Sequence, residues 1–263
     1  GVSKMYTKRY RSAAIWGKLR VCRYLTGSET LRAVVPHSLL LTPANLASMT
    51  EMHDAVYVKP DIGSMGIGIH KLVRTTNGFM LHSTQWRRQV KREAKDVKDA
   101  YRLLRKLSKG RMLIQEAIAI DHVGDQPYDI RAMVQRKPGG PWTCTGFMAK
   151  IGGSGSIVTN YYQGGQIWTL EQLLRGKGYD ADKCRTLTEE LTAKALDTAQ
   201  WLSGKKQGMR EMGIDFAFDR EGRLWVLEVN SNHPQFHPLR KLDPAAYQRM
   251  MSFARAYGRH DAQ

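Results

Sequence analysis

The stretch GIDFAFDREGRLWVLEVNSNHP, residues 213–234, constrains the fold more than any other part of this chain. Two apolar segments flank a short polar turn, which predicts an antiparallel pair of strands. Asp215 lies on the first strand, and Glu228 and Asn230 share one face of the second because strand side chains alternate with a period of two. Carboxylates among apolar neighbours are costly unless they bind a cation, and such hard oxygen ligands suit Mg²⁺ carried by nucleotide phosphates. The alternative is an exposed acidic strand pair.

A glycine-rich loop follows another apolar strand in YVKPDIGSMGIGIHKL, residues 57–72. Lys59 lies near the end of that strand, and glycines at 63, 66 and 68 leave backbone N–H groups open to phosphate oxygens. No Gly-Lys-Ser/Thr follows, so the stretch is not a P-loop, and it leads into a strand, so it is not a dinucleotide fingerprint. It predicts an anion site. A hairpin turn with a solvated lysine is the alternative.

The order of the predicted elements indicates an α+β fold with two sheet-bearing lobes. Paired strands alternate with helices that we predict over residues 10–26, 43–53, 86–108, 169–176, 186–203 and 243–258. The predicted units are an N-terminal helical segment (1–40), an N-terminal lobe (41–118) and a C-terminal lobe (119–263). The hinge between the lobes is expected near residues 116–121.

A formal net charge of +17 favours anionic partners, which include nucleotides, acidic peptides or polymers, and nucleic acid. The predicted helix 86–108 carries many of the cations, either as a solvated face or as a docking face for an acidic polymer. Nucleic acid is the less favoured partner because aromatic residues do not alternate with those cations. The chain has neither a run of about 18 apolar residues nor an apolar N-terminal stretch, which predicts no membrane span and no secretion. Three widely separated cysteines fit a reducing cytoplasm.

Two further stretches carry polar groups that suit a reaction site. In DIRAMVQ, Asp129 and Arg131 share a strand face, and the arginine could bind a phosphoryl group bidentately or form an ordinary surface ion pair. The glycine-rich GGSGSIVTNYYQGG offers Ser154, Ser156 and Asn160 to an anionic acceptor, with a plain surface loop as the alternative. His233, in the loop after the C-terminal hairpin, could contact the same acceptor.

The segments WGKLRVCRYL, VYVKPDIGSMGIGI, YDIRAMVQ, SIVTNYYQGG and GIDFAFDREGRLWVLEVNSNHP together resemble the ATP-grasp superfamily, in order, over about residues 15–258. Within it, they are most similar to the YheC/YheD-type proteins described as endospore coat-associated. The resemblance implies the ATP-grasp fold, in which ATP is held between antiparallel sheets of two α+β lobes. It also implies that Mg²⁺, as a pair of ions, binds Asp215, Glu228 and Asn230. The implied ATP contacts are Lys18 and Lys59 at the phosphates, Gly63, Ser64, Met65, Gly66 and Gly68 in the covering loop, Gln115, Glu116, Ala117 and Ile118 at the adenine, and Asp121 at the ribose.

The resemblance further implies an ATP-dependent ligase that joins a carboxylate to an amine or thiol through an acyl phosphate and releases ADP and phosphate. Arg131, Lys150 and Asn160 would be the catalytic residues, and the acceptor is expected to be acidic. Lys150 departs from the arginine usual in the compared ligases, and lysine lacks the bidentate fork. Only 17 residues precede Lys18, so the acceptor pocket that a preceding domain often helps to build is expected to be absent or supplied otherwise.

Two other functions fit the same resemblance. One is a kinase of the same fold that transfers the phosphoryl group to a hydroxyl. The other is a non-catalytic, spore-associated nucleotide-binding protein. The expected location is the cytoplasm, with spore association implied by the resemblance.

Overall fold

Two antiparallel sheets with helices packed on their faces form the protein in a computed structural model that describes residues 6–63, 68–85, 88–154 and 165–263. The strands are β1 (Ser38–Leu40), β2 (Ala55–Pro60), β3 (His70–Thr75), β4 (Gly78–Gln85), β5 (Arg88–Ala94), β6 (Met112–Glu116), β7 (His122–Val123), β8 (Gln126–Gln135), β9 (Thr143–Ile151), β10 (Gln166–Trp168), β11 (Glu211–Phe218) and β12 (Leu224–Asn230). The helices are α1 (Lys18–Thr26), α2 (Pro43–Met52), α3 (Val97–Leu107), α4 (Leu170–Gly176), α5 (Ala181–Lys205), α6 (Leu239–Leu242) and α7 (Pro244–Ala256). Within these described ranges, no helix has the length and apolar character needed to cross a membrane.

The first sheet has the strand order β1-β6-β2-β3-β4-β5. Val56, Leu72 and Leu81 lie on one face and pack with α2 and α3 in a hydrophobic cluster. The predicted helix 43–53 is confirmed as α2, where the Thr42 hydroxyl accepts a hydrogen bond from the Asn45 amide at 3.0 Å and caps the helix. Because side chains alternate along each strand, the opposite face of this sheet carries polar residues.

The second sheet has the strand order β10-β9-β8-β11-β12, with β7 paired to β8. One face packs against α5 through residues such as Ile214 and Phe216. The other face packs partly against α7, and a Cβ atom at Gly146 would lie 2.7 Å from Met250 Cε. This glycine therefore allows α7 to approach β9 closely. The rest of the same face is polar and forms the candidate site.

The N-terminal segment packs on the second sheet. Ile15, Val21 and Leu25 belong to the same hydrophobic cluster as β11 and α5. The prediction of a helix over 10–26 is correct only from Lys18 onward, because Gly17 has a φ of 94°, outside the right-handed helical region. The division into units at residues 40 and 118 stays a prediction.

The predicted helix 86–108 is wrong in its first half. Residues 88–94 form β5, an edge strand that pairs with β4. In this pairing Ala94 lies opposite Phe79, and Arg88 lies opposite Gln85. Helix α3 begins only at Val97. Val90 and Ala94 are four residues apart, a spacing that suits a helix as well as a strand. The Asp96 side chain accepts a hydrogen bond from the Asp99 amide and caps α3, which fixes the boundary.

A buried acid ties both ends of the chain to β11. Glu211 is fully buried, and it accepts hydrogen bonds from the Tyr10 hydroxyl at 2.5 Å and the Tyr257 hydroxyl at 3.0 Å. It also pairs with Arg259 Nη1 at 2.8 Å and Lys8 Nζ at 3.1 Å. Burial raises the pKa of Glu211, but Arg259 and Lys8 outweigh burial and the pKa is lowered. The acid is therefore charged and holds the two cations in place.

Glu211→Gln should lower the free energy of unfolding by about 3 kcal/mol at pH 7, because Lys8 and Arg259 lose their buried counter-charge. Since the folded-state pKa is lowered, the stabilisation is complete above the unfolded-state pKa of about 4.3 and is lost as the pH falls through the folded-state value. Urea titrations of both proteins should therefore converge in acid. Glu190→Gln, an exposed change on α5, is the control and should shift stability by less than about 0.5 kcal/mol. Equal effects of the two substitutions would contradict the role of Glu211.

Candidate active site between the two sheets

Cross-strand register gathers the polar residues of the second sheet on one face. Asp215 lies directly opposite Arg131 on β8 and Glu228 on β12. Asp129 lies opposite Lys150 on β9. Directly opposed residues of antiparallel strands share a face. Asn230 lies two residues after Glu228 on β12 and therefore on the same face. The structure thus brings together all three predicted metal ligands and the two predicted catalytic cations. These residues are called the polar face below.

Asp215 is the centre of an ion network on the polar face. Arg131 Nε lies 2.5 Å from Asp215 Oδ1, and Lys150 Nζ lies 3.0 Å from Asp215 Oδ2. Lys150 Nζ is also 3.4 Å from Asp129 Oδ1. Burial raises the pKa of Asp215, but Arg131 and Lys150 outweigh it and the pKa is lowered. Burial likewise lowers the pKa of Lys150, but Asp129 and Asp215 reverse the effect. The groups are therefore held in their charged forms.

Glu228 and Asn230 complete an oxygen-rich edge beside this network. The Glu228 side chain is 35% exposed, with Oε1 3.6 Å from Lys18 Nζ. Asn230 Oδ1 accepts a hydrogen bond from the Asn232 amide at 3.1 Å. Among the described residues, no three His, Cys, Asp or Glu side chains are grouped as metal ligands. The donor set is instead two carboxylates and one amide oxygen, which fits Mg²⁺ because that ion keeps several waters or phosphate oxygens as further ligands.

A cleft of about 390 Å³, including its open mouth, lies between the sheets next to Glu228. Lys59 and Gln115 line it from the first sheet, and Lys18 lines it from α1. The apolar walls come from Val21, Cys22, Leu25 and Val35 on one side and Val226, Leu227 and Val229 on the other. Apolar walls with a few convergent polar groups are typical of ligand sites. Sequence reasoning missed these walls, although the apolar stripe of α1 was visible in the sequence.

Both predicted phosphate lysines are at this cleft. Lys18 Nζ donates to the Gly63 carbonyl at 2.8 Å, and Lys59 Nζ donates to Gln115 Oε1 at 2.9 Å. Burial lowers the pKa of Lys59, an effect that Glu228 opposes and Lys18 reinforces. An anion between the two ammonium groups would relieve their repulsion.

The start of α1 is fixed by a residue of the first lobe. The Asp61 side chain accepts a hydrogen bond from the Leu19 amide at 2.9 Å, and its carbonyl accepts one from the Lys18 amide at 2.9 Å. These bonds satisfy two backbone donors that a helix leaves open at its N-terminus. A Cβ atom at Gly17 would lie 2.9 Å from Asp61 Oδ2, so glycine permits this contact. Lys18 is thereby held between the two sheets.

The predicted adenine and ribose residues lie at the end of β6 and in the connection that follows it. Gln115 lines the cleft directly. Glu116 Oε1 accepts a hydrogen bond from the His37 amide at 2.8 Å, and the Ala117 amide donates to the Ala55 carbonyl at 3.1 Å. Ile118 follows in the connection. Asp121 is held by the Tyr128 hydroxyl at 2.6 Å and by Lys177 Nζ at 2.9 Å, so a ribose would compete with these partners.

Several predicted residues fall outside the described ranges. Ser64, Met65, Gly66, Ser156 and Asn160 belong to this group. Gly68 is described and has a φ of 75°, which favours glycine. The prediction that His233 contacts an acceptor is wrong, because the side chain is buried and its Nδ1 lies 2.9 Å from the Tyr10 hydroxyl.

A scan against protein-family models matches the YheC/D-like ATP-grasp model to residues 8–260. The chain belongs to the YheC/D-like ATP-grasp family. The endospore coat-associated protein YheD of Bacillus subtilis (strain 168) is 31% identical over 195 residues, which is 69% of this chain and 42% of YheD. YheC of the same organism is 22% identical over 129 residues, which is 48% of this chain and 34% of YheC. The chain thus spans less than half the length of these relatives.

Solved structures confirm the ATP-grasp fold of this YheC/D-like chain. The ATP-grasp ligase PsnB, solved with a minimal precursor, superposes with a TM-score of 0.52 at 16% identity over 91% of this chain and 60% of PsnB. The C-terminal domain of K. lactis Pby1, an ATP-grasp enzyme that interacts with the mRNA decapping enzyme Dcp2, gives a TM-score of 0.50 at 10% identity over 89% of this chain and 68% of that one. At these identities the likeness concerns the fold.

Gly213→Ala should disturb the ion network without removing any of its groups. A Cβ atom at Gly213 would lie 2.8 Å from Arg131 Cδ and 2.9 Å from Pro234 Cβ, so Arg131 must shift away from Asp215. We expect the free energy of unfolding to fall by about 1–3 kcal/mol in urea titrations. Gly204→Ala in α5 has no atom within 4 Å of its new Cβ and should be neutral or stabilising by up to about 1 kcal/mol. A Gly213→Ala protein as stable as this control would contradict the packing argument.

Proposed function

We propose that the protein is an ATP-dependent carboxylate–amine (or thiol) ligase that works through an acyl phosphate and releases ADP and phosphate. The observation that carries the proposal is the polar face, where Asp215, Glu228 and Asn230 lie beside Arg131 and Lys150. This face is next to a cleft that Lys18 and Lys59 help to line. A structural protein has no need for so many partly buried charges around an open cleft, because buried ion pairs contribute little net stability.

The cleft fits ATP by the chemistry of its walls. Valine and leucine side chains between the sheets suit an adenine ring. Gln115 lies on the same wall, where its amide bonds to Lys59 and Ser38. Lys18 and Lys59 place two positive charges where a triphosphate leaves the apolar part of the cleft. The phosphates would then extend towards Glu228, which lines the cleft and also belongs to the polar face. The residues proposed to contact the adenine are Glu116, Ala117 and Ile118, and the residue proposed to contact the ribose is Asp121.

The oxygen donors of the polar face would hold Mg²⁺ together with the phosphates. Asp215, Glu228 and Asn230 are the residues proposed for this role. When bound, Mg²⁺ neutralises phosphate charge and orients the γ-phosphate for in-line displacement. Arg131 and Lys150, which neutralise Asp215 in this structure, are the cations that would bind the transferring phosphoryl group.

The side chains act by positioning and by charge stabilisation. A substrate carboxylate oxygen attacks the γ-phosphorus, the bond from that phosphorus to the β–γ bridging oxygen breaks, and ADP leaves. Arg131 and Lys150 stabilise the charge on the phosphoryl oxygens. An amine nitrogen then attacks the acyl carbon, phosphate leaves with the bonding electrons, and the amine proton passes to solvent. No covalent side-chain nucleophile is required.

The names of two similar proteins support a location and a substrate class for the proposed reaction. PsnB is an ATP-grasp ligase whose structure contains a minimal precursor, and YheD carries the name endospore coat-associated protein. By likeness, this protein would act in the cytoplasm of a spore-forming cell on an acidic carboxylate substrate. A kinase on the same fold would give a stable phosphoester instead, and a scaffold would give no product.

ADP formation in the presence of paired carboxylate and amine substrates tests the proposal. Peptides that contain glutamate, with amino acids or amines as acceptors, should yield ADP and a product heavier than the peptide by the acceptor minus water. Glu228→Gln should reduce the rate by about 100-fold or more, because an oxygen donor that stabilises the transition state is lost. The fold should remain, since Glu228 is 35% exposed.

Glu221→Gln on the exposed β11–β12 turn is the matched control and should keep the full rate. AMP as the nucleotide product, or a phosphoester as the second product, would contradict the ligase proposal. Equal rates for Glu228→Gln and Glu221→Gln would contradict the metal assignment.

A further inference from the structure

A straight line of side chains crosses the first sheet from the cleft to its outer edge. Gln115 on β6 is directly opposite Tyr57 on β2, which is opposite Lys71 on β3. Lys71 is opposite His82 on β4, and His82 is opposite Lys91 on β5. Since directly opposed residues of antiparallel strands share a face, the line starts at the cleft wall and ends at an edge strand.

Lys71, His82 and Lys91, here called the basic row, lie on the face of the first sheet that α2 and α3 leave open. Their strand neighbours Leu72 and Leu81 point the other way, into the cluster with those helices. Lys91 is exposed, and Lys71 and His82 are half-buried. Within β1 to β6, the acidic residue of this face is Glu93, two residues along β5 from Lys91. Two lysines share this face with one carboxylate, so the row carries net positive charge.

The environment of the row is that of an anion site. Burial lowers the pKa of Lys71. Burial also lowers the pKa of His82, and Lys91 and Lys71 lower it further. The charged forms of Lys71 and His82 are thus disfavoured by their surroundings, and an anion beside them would relieve that cost.

We propose that the basic row binds the acidic part of the substrate, a polypeptide segment with several carboxylates, while one of its carboxylates reaches the cleft. This inference rests on the proposed ligase function and names the substrate class for the same site. The four strand spacings from Gln115 to Lys91 span about 19 Å, the length of about six extended residues. Tyr57 and Gln115 connect the row to the cleft, because Tyr57 lies between Lys71 and Gln115 and Gln115 lines the cleft.

An acidic peptide fits this surface better than a nucleic acid does. Tyr57 is the one Phe, Tyr or Trp of the line, and Lys59 Nζ and Lys71 Nζ lie 5.4 and 5.7 Å from its ring centroid. These ammonium groups would compete with a base for the ring. Carboxylates, in contrast, need only ion pairs with the exposed ends of the lysines.

Binding of a fluorescently labelled oligoglutamate of about eight residues tests the inference, measured by anisotropy at low salt with an ATP analogue present. Lys71→Gln/Lys91→Gln should weaken binding by about tenfold, the effect of two lost ion pairs. Lys98→Gln/Lys106→Gln removes the same charge from exposed positions on α3, behind the opposite face, and should change binding by less than about twofold. Lys91→Gln alone, at an exposed position, should show part of the loss in a protein whose melting is unchanged.

A spectroscopic readout separates binding at the row from a change in net charge. The imidazole of His82, followed by NMR, should titrate at higher pH when oligoglutamate is bound, because carboxylates offset Lys71 and Lys91. Equal losses in the two double variants, or an unchanged His82 titration, would overturn the inference. Displacement of the peptide by oligothymidylate of equal charge at lower concentration would also overturn it, in favour of nucleic acid.

The two proposals fail in different ways. If oligoglutamate binds at the row but no ADP forms with any amine, the ligase proposal fails and the binding inference stands. If ADP forms and the row variant behaves like the α3 variant, the substrate class is wrong and the ligase proposal stands.

Discussion

The pairing of buried Asp215 with Arg131 and Lys150 is the interaction on which the candidate site depends. A carboxylate in the middle of a sheet is costly unless charged partners surround it. Here Arg131 comes from the adjacent strand β8 at 2.5 Å, and Lys150 reaches across from β9, one strand further, at 3.0 Å. Gly213 leaves the space through which the Arg131 side chain passes. The strand register, the glycine and the charges therefore form one unit, in which a change at any position alters the others.

The candidate site also depends on a fixed arrangement of the two sheets facing each other. The N-terminal segment packs on the second sheet through Ile15 and Val21, yet the first turn of α1 binds Asp61, just beyond β2 of the first sheet. This contact puts Lys18 within reach of both Gly63 and Glu228. One short helix thus links the loop of one sheet to the polar face of the other.

Local patterns predicted much of this arrangement, and long-range pairing accounts for what they missed. A period of two placed Glu228 and Asn230 on one face, and the cap at Thr42 with Pro43 located α2. Such patterns do not specify cross-strand partners, so the contacts of Lys150 with Asp129 and Asp215 could not be read from the sequence. The prediction for β5 was wrong for the same reason. The spacing of Val90 and Ala94 suits a helix as well as a strand, and the pairing with β4 decides in favour of the strand. The apolar cleft walls combine α1 with β12, segments that are about 200 residues apart.

Charge balance explains how so many ionised groups are tolerated together at this site. Three carboxylates, Asp129, Asp215 and Glu228, are matched by three cations, Lys18, Arg131 and Lys150. In the proposed reaction, a triphosphate with divalent ions would bring both signs of charge, so that cations could pair with phosphates where the carboxylates hold metal. Lys59 donates to the Gln115 amide oxygen; it lies outside the balance of these six groups and would gain an anionic partner. On the first sheet, the two lysines of the basic row share their face with the single carboxylate of Glu93, so this face carries net positive charge.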